Sequence, residues 1–368
     1  MLGTMHAWWA LQRGDEVVQI ERDAEARSAS VRNFGLVWVS GRRDGAELDL
    51  ALRARELWEQ IGVRVSGLGF RPHGSLTVAL DGAEAAAMQA YAAGDGARQR
   101  RTEWLDGAGA RAVNPAVGGV VAGALWCHSD AIVESRVALA AMRTEMAVNG
   151  RYRFIVGRRV RERRGTEVID HCGERHGGDA VIVCTGAEHD GLDAEHLSAA
   201  PLRRCRLQMM QTAPAELSLT TSIADADSMR YYPAYEHLDL SGLAPQPPVA
   251  VANRMQLLMV QRLDGSLTIG DTHTYDDDPT TQPFAFDVDE APYGHLIERA
   301  EAILGRSLPP IQRRWAGVYS QLAPTASAGA VYHHGEIEPG VVAVTGPGGR
   351  GMTLAPAIAE QTWERLGT

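Results

Sequence analysis

Near its end the chain runs from an apolar stretch, Val341-Val342-Ala343-Val344-Thr345, into Gly346-Pro347-Gly348-Gly349-Arg350-Gly351, and then into a segment that reads as a helix from Met352 through Arg365. A buried strand that feeds a glycine-rich loop at a helix N-terminus gathers unpaired backbone N–H groups and the positive end of a helix dipole at one point, an arrangement that binds anions. Four glycines in six residues also remove the Cβ atoms that would hold a flat ring away from the backbone. Taken alone, the segment also reads as an ordinary strand-to-helix turn.

The other end of the chain reads as a second half of the same site. Gly3 to Gly14 has the pattern of the first helix of a Rossmann unit, closed by Gly14 as its C-terminal cap. A strand, Glu16 to Ile20, follows and ends in Glu21, the position at which such folds place an acid against a ribose hydroxyl pair. Gly3 falls where the third glycine of the Gly-x-Gly-x-x-Gly fingerprint would stand. The first strand and the leading Gly-x-Gly are therefore expected to be missing from the sequence. A secretory signal is the rival reading of this apolar start, but it lacks a basic leading region, a long apolar core and a small-residue cleavage site.

With 368 residues, 45% of them hydrophobic, the chain has material for a large core and is expected to form two domains. The net charge of −10 and the scattered basic residues argue against nucleic acid, and no apolar run reaches bilayer length. The sequence contains no lysine, so Schiff-base chemistry is excluded. Cys127, Cys172, Cys184 and Cys205 have neither metal-ligand nor paired spacing, which predicts reduced thiols, no metal and a cytoplasmic setting.

Strand and helix signals alternate in three blocks. The first includes a helix from Ala46 to Ile61, with Leu48, Leu52, Leu57 and Ile61 at helical spacing. The second starts near Ile132, with a helix from Val133 to Asn149, a short strand around Val160 and the strand and turn from Asp179 to Ala187. The third starts at Gly340. These blocks predict an α/β fold: a Rossmann-type domain (1–71, 131–201 and 339–368), interrupted by a mixed-sheet substrate domain (72–130 and 202–338).

The N-terminal helix, Glu21-Arg22, Ser28 to Gly35, the Val181 to Ala187 strand and turn, and Gly346 to Pro356 together resemble the FAD-dependent oxidoreductases of the D-amino acid oxidase, glycine oxidase and sarcosine oxidase superfamily, over almost the whole chain. Ser30-Val31-Arg32-Asn33-Phe34-Gly35 and Ile269-Gly270-Asp271-Thr272-His273 look like one narrower clade, found near phosphonate-catabolism genes and proposed to oxidise aminophosphonates.

The resemblance implies non-covalent FAD. It places Gly3 at the dinucleotide turn, Glu21 and Arg22 at the adenosine ribose, Val160 at the adenine, and Ser30, Val31, Arg32 and Asn33 along the pyrophosphate toward the ring. Thr185, Gly186 and Ala187 would cross the diphosphate side. Gly346, Gly348, Gly349, Arg350, Gly351, Met352 and Thr353 would face the flavin's pyrimidine edge, where hydride acceptance develops negative charge. It also implies a small amine as donor and oxygen or another electron acceptor.

Two departures from the resembled pattern concern the chemistry. Tyr319 stands in Trp315-Ala316-Gly317-Val318-Tyr319-Ser320 where amino acid oxidases carry a carboxylate-binding arginine. Thr268 stands where sarcosine oxidases carry an oxygen-activating lysine. His273 is expected to be the substrate contact or proton acceptor, and Arg230, Tyr231, Tyr232, Arg254 and Tyr319 to line the substrate pocket. His333-His334 is not expected to bind metal, because neighbours on a strand point opposite ways. The expected reaction is hydride transfer from the carbon beside an amine to flavin N5, giving an imine and then a carbonyl product. The alternatives are a truncated, non-catalytic relative that binds no flavin, and a NAD-dependent dehydrogenase, which the C-terminal glycine loop disfavours.

Overall fold

The computed structural model describes residues 1–276, 284–285 and 287–367. The N-terminal helix, Leu2–Arg13, stops where Gly14 takes φ 102° and returns its N–H to the carbonyls of Ala10 and Leu11, the left-handed cap expected of glycine there. The chain then enters the strand Val17–Glu21, which pairs in parallel with Tyr152–Val156. The strand at Val160 is a different element: Val160–Arg164 forms an antiparallel hairpin with Glu167–Asp170.

A second parallel pair joins Val181–Val183 to Val341–Thr345, and His333–Glu338 adds to it antiparallel. All five residues of Val341–Thr345 are buried, as a parallel strand covered on both faces requires. Among the described residues no strand joins Val17–Glu21 to Val181–Val183, and residues of both strands line one cavity.

The largest sheet has nine strands, drawn from Ser75–Cys127 and Leu202–Leu322, and is antiparallel except where Ser222–Asp225 runs alongside Ser75–Ala79. Its long ribbon, Leu202–Pro214 against Ile311–Leu322, sets Tyr319 opposite Cys205. The helix Glu290–Leu304 packs Tyr293, Leu296, Ala300 and Ile303 into the apolar cluster on one face of the sheet. Leu207, Met209 and Leu258 face the cavity from the other.

The helix predicted from Ala46 extends one turn further, to Arg64. The helix predicted from Val133 is shorter, Ala138–Ala147. Ahead of it Ala131–Ile132 is extended and pairs antiparallel with Leu36–Val37, and the N–H groups of Val133 and Glu134 carry that pairing on to the carbonyls of Gly35 and Leu68, so the backbone stays extended past the expected start.

The C-terminal helix, Gly351–Leu366, contains Pro356. Proline has no N–H, so the carbonyl four residues earlier, on Met352, loses its helical partner. The indole of Trp58 fills that vacancy, donating to the carbonyls of Met352 at 3.0 Å and Thr353 at 3.1 Å, while Trp9 donates to the Pro356 carbonyl at 2.9 Å. Trp58 thus fixes the first turn of this helix, next to the glycine loop that precedes it, and Trp9 the second.

Candidate active site

One cavity of about 2260 Å³ crosses the molecule between the parallel strands and the large sheet. Ordinary ligand pockets hold roughly 300 to 1,000 Å³, so this one has room for a long cofactor together with a substrate. At one end stands Glu21, at the tip of its strand, where its carboxylate accepts the N–H of Asp23 at 3.0 Å. Arg22 beside it is ion-paired to Glu188 and Asp23, and Val160 forms part of the wall.

The middle of the cavity is bounded by Gly3 and Thr4 in the first turn of the N-terminal helix, by Ser30, Arg32 and Asn33, and by Thr185, Gly186 and Ala187. The first helical turn has no side-chain cap and no acidic residue, which leaves its N–H groups available to an anion. A Cβ on Gly3 would sit 3.6 Å from that of Cys184, so this position seats the helix against the Val181–Val183 strand. Arg32 reaches across to the Ala316 carbonyl at 2.6 Å. Asn33 is turned onto its own loop, donating to Ala29 O and accepting from Gly35 N, both at 2.7 Å.

The far end is floored by Gly348, Gly349, Arg350, Gly351, Met352 and Thr353. The C-terminal helix likewise has neither a side-chain cap nor an acid in its first turn. Arg350 is less free than the sequence suggests: Nε and Nη2 donate to the carbonyls of Pro347 and Val331, and Nη1 meets Glu47 at 3.2 Å. Glu47 also lies 3.5 Å from Arg42, so one carboxylate serves two guanidinium groups and a net positive charge remains.

Above this floor lie Tyr231, Tyr232, His273 and Tyr319, which the sequence singled out, together with Trp38, Arg42, Asp271 and Tyr275, which it did not single out as pocket-lining. Tyr231 stacks on His273 with ring centroids 4.3 Å apart. His273 Nδ1 lies 3.0 Å from the Arg254 carbonyl and Nε2 lies 3.7 Å from Asp271 Oδ2. Burial raises the pKa of Asp271 and, well above the ordinary range, those of Tyr231 and Tyr319. Four buried polar atoms have no hydrogen-bond partner: Tyr319 Oη, Trp38 Nε1, Arg42 Nε and Asp271 Oδ1. Orphaned groups of this kind on a cavity wall are ready for a ligand.

Five residues singled out from sequence do not line the cavity. Arg230 is held by Asp227 at 3.1 Å and by the Ala244 carbonyl at 2.7 Å. Arg254 lies over the Tyr275 ring at 5.0 Å and takes a left-handed backbone conformation, φ 46°. Val31 and Gly346 sit behind their loops, and a Cβ on Gly346 would come within 2.7 Å of Leu202. Thr268 is buried and accepts from Arg262 Nε at 2.9 Å. Asp130 was not visible in the sequence because its partners are distant: it accepts from Ser40 and Ser75 hydroxyls at 2.6 and 2.7 Å and so holds the turn that leads to Arg42.

An acid at the tip of a Rossmann strand, two uncapped helix N-termini on one cavity and a glycine floor define a dinucleotide-binding protein. The sequence model of the FAD dependent oxidoreductases, DAO, matches residues 1–365, and the chain belongs to that family. Similar solved structures include glycine oxidase from Bacillus cereus (TM-score 0.76, 18% identity, covering 100% of this chain and 92% of that one). They also include L-proline dehydrogenase from P. horikoshii (0.72, 17%, 99% and 90%). A third is L-α-glycerophosphate oxidase from Mycoplasma pneumoniae with FAD bound (0.71, 15%, 100% and 92%). A search of curated proteins found no match. The cofactor of the family is FAD, and the groups present fit it: the Glu21 carboxylate to accept from ribose hydroxyls, the N–H groups of the two helix N-termini for anionic oxygens, and the bare Gly349 for a flat ring. No helix among the described residues is long and apolar enough to cross a membrane.

Proposed function

We propose that this protein oxidises a small amine that carries an anionic group, with an aminophosphonate as the leading candidate donor, and passes the electrons to oxygen or another acceptor. Bound non-covalently in the cavity, FAD supplies the acceptor for a hydride from the carbon beside the amine nitrogen, leaving an imine that water hydrolyses. The observation that carries this reading is the pair of orphaned donors at the glycine end, Tyr319 Oη and Arg42 Nε, on a wall that bears net positive charge from Arg42 and Arg350. These groups suit an anionic oxygen without forming the bidentate arginine clamp that selects a carboxylate. His273, with Tyr231 stacked on it, is the group placed to take the amine's proton.

On this reading residues 1–71, 131–201 and 339–368 hold the cofactor and 72–130 and 202–338 shape the substrate side, apart from His333–Glu338, which pairs with Val341–Thr345. Cys184 lies on the cavity wall, but burial pushes its thiol up to about 12, which leaves it a poor nucleophile for a flavin tether. Four free cysteines suit the cytoplasm. Thr268, a neutral group tied to Arg262, leaves the choice of acceptor open to carriers other than oxygen.

The test is anaerobic mixing of the FAD-loaded protein with a panel of amines while the absorbance of oxidised flavin is followed. Aminophosphonates are expected to bleach it at roughly ten to a hundred times lower concentration than glycine or simple D-amino acids, since a missing charge-assisted clamp forfeits about 1.5 to 3 kcal/mol. Fastest bleaching by an ordinary α-amino acid would overturn the choice of donor, and no bleaching by any amine would overturn the reaction.

A further inference from the structure

We propose that Asp271 anchors the cationic nitrogen of the substrate, so that the donor binds as an ammonium and is deprotonated in place. The inference rests on the amine-oxidation reading and names the group that would give it selectivity.

Asp271 is 5% exposed, lies on the cavity wall and has an Oδ1 without a hydrogen-bond partner. Among the described residues no arginine pairs with it, although every one of the chain's 36 lysine-or-arginine cations is arginine and neighbouring acids are paired, Asp276 with Arg204 and Glu47 with Arg42 and Arg350. A buried carboxylate without a cation is unfavourable, and the usual remedies are a partner or a proton. His273 does not supply a partner in its neutral form. Its Nδ1 donates to the Arg254 carbonyl, which fixes the tautomer and leaves Nε2, an acceptor, facing the Asp271 carboxylate at 3.7 Å. Two acceptors face each other, the Gln256 amide is a neutral neighbour of the carboxylate, and Oδ1 has no hydrogen-bond partner.

The neighbouring walls suit a cation. Tyr231 stacks on His273, and Tyr232 stands edge-on to Tyr231 with centroids 5.0 Å apart. Both tyrosines line the cavity, and the Arg42 guanidinium already lies over the Tyr232 ring, 5.4 Å from its centroid, as expected of rings whose quadrupoles attract a cation. An ammonium held there transfers one N–H proton to His273 Nε2. The electron pair of the broken N–H bond stays on nitrogen as the lone pair that oxidation of the adjacent carbon requires, and the imidazolium formed faces the Asp271 carboxylate. With Arg42 offering its Nε to an anionic group in the same cavity, the site takes a zwitterion.

The probe is tetramethylammonium, which has no N–H and no lone pair and so is not oxidised, compared with tert-butanol as a neutral molecule of similar shape. Binding to the FAD-loaded protein is followed by calorimetry and by protein fluorescence. Wild type is expected to bind the cation at least about tenfold more tightly than the alcohol. Asp271→Asn is expected to erase that preference, and Asp271→Glu to keep most of it. Absence of the preference in wild type, or its survival in Asp271→Asn, would overturn the proposal, and the wild-type comparison stands even if the variant does not fold. The two readings separate cleanly. A cation preference in a protein that no amine bleaches keeps the anchor and removes amine oxidation. Bleaching by amines with unchanged half-saturation in Asp271→Asn keeps amine oxidation and removes the anchor.

Discussion

Gly349→Val is expected to leave the fold intact and to lower FAD affinity by roughly a hundredfold, or about 3 kcal/mol. The expectation turns on the difference between two adjacent glycines. Gly348 has φ 65°, and a Cβ there would come within 3.1 Å of the Gln321 side chain, so a valine at 348 strains the backbone before any ligand is considered. Gly349 has no such conformation, and its nearest neighbour to an added Cβ is Tyr319 Oη at 3.5 Å, an ordinary contact. A side chain at 349 therefore enters cavity space without disturbing protein, and unfolding free energy should change by no more than about 0.5 kcal/mol. Urea unfolding and a FAD titration of the same preparation check both halves. Undiminished FAD affinity would mean that the glycine floor does not receive the ring.

Trp58→Ala should be the most destabilising single change in the nucleotide-binding half, at about 4 kcal/mol, since large-to-small truncation of a fully buried aromatic removes transfer energy and leaves a cavity. Trp58→Phe separates packing from hydrogen bonding. It retains most of the ring but leaves the Met352 carbonyl unpaired, because Pro356 has no N–H to offer. A loss of about 1 to 2 kcal/mol is expected from that orphaned acceptor. FAD affinity should fall as well, because the same indole fixes the helix turn behind Gly349. Wild-type stability in Trp58→Phe would show that the bond contributes nothing.

The nucleotide half was legible in the sequence because its signals are local. Gly14 caps a helix, Glu21 ends a strand, and the run from Val341 to Gly351 states strand, loop and helix within eleven residues, all of which the structure contains. Parallel strands buried on both faces write themselves as apolar runs. The substrate end was harder to read. Tyr319 was found through its place in a strand, His273 through its place just past the end of one, and Tyr231 through its spacing in the substrate domain, but Arg42, Asp130 and Asp271 owe their environment to partners far away in sequence: Tyr232, Ser75 and Gln256. Arg230 and Arg254 had the right charge, yet each is occupied elsewhere, by Asp227 and by the face of Tyr275. Composition reports how many arginines a segment has and is silent on which way they point. The shortened helix at Ala138 has the same origin, since the chain before it is held extended against the distant Leu36–Val37.

We read one continuous cavity, from Glu21 to Gly349, as the FAD site. Titrating the protein into FAD while following the flavin fluorescence, with ADP and NAD⁺ as competitors, tests this most directly. Saturation is expected at one FAD per chain, with partial displacement by ADP, which shares only the Glu21 end, and no preference for NAD⁺. Flavin fluorescence that is unaffected by folded protein, or displacement by NAD⁺ at concentrations equal to FAD, would contradict it.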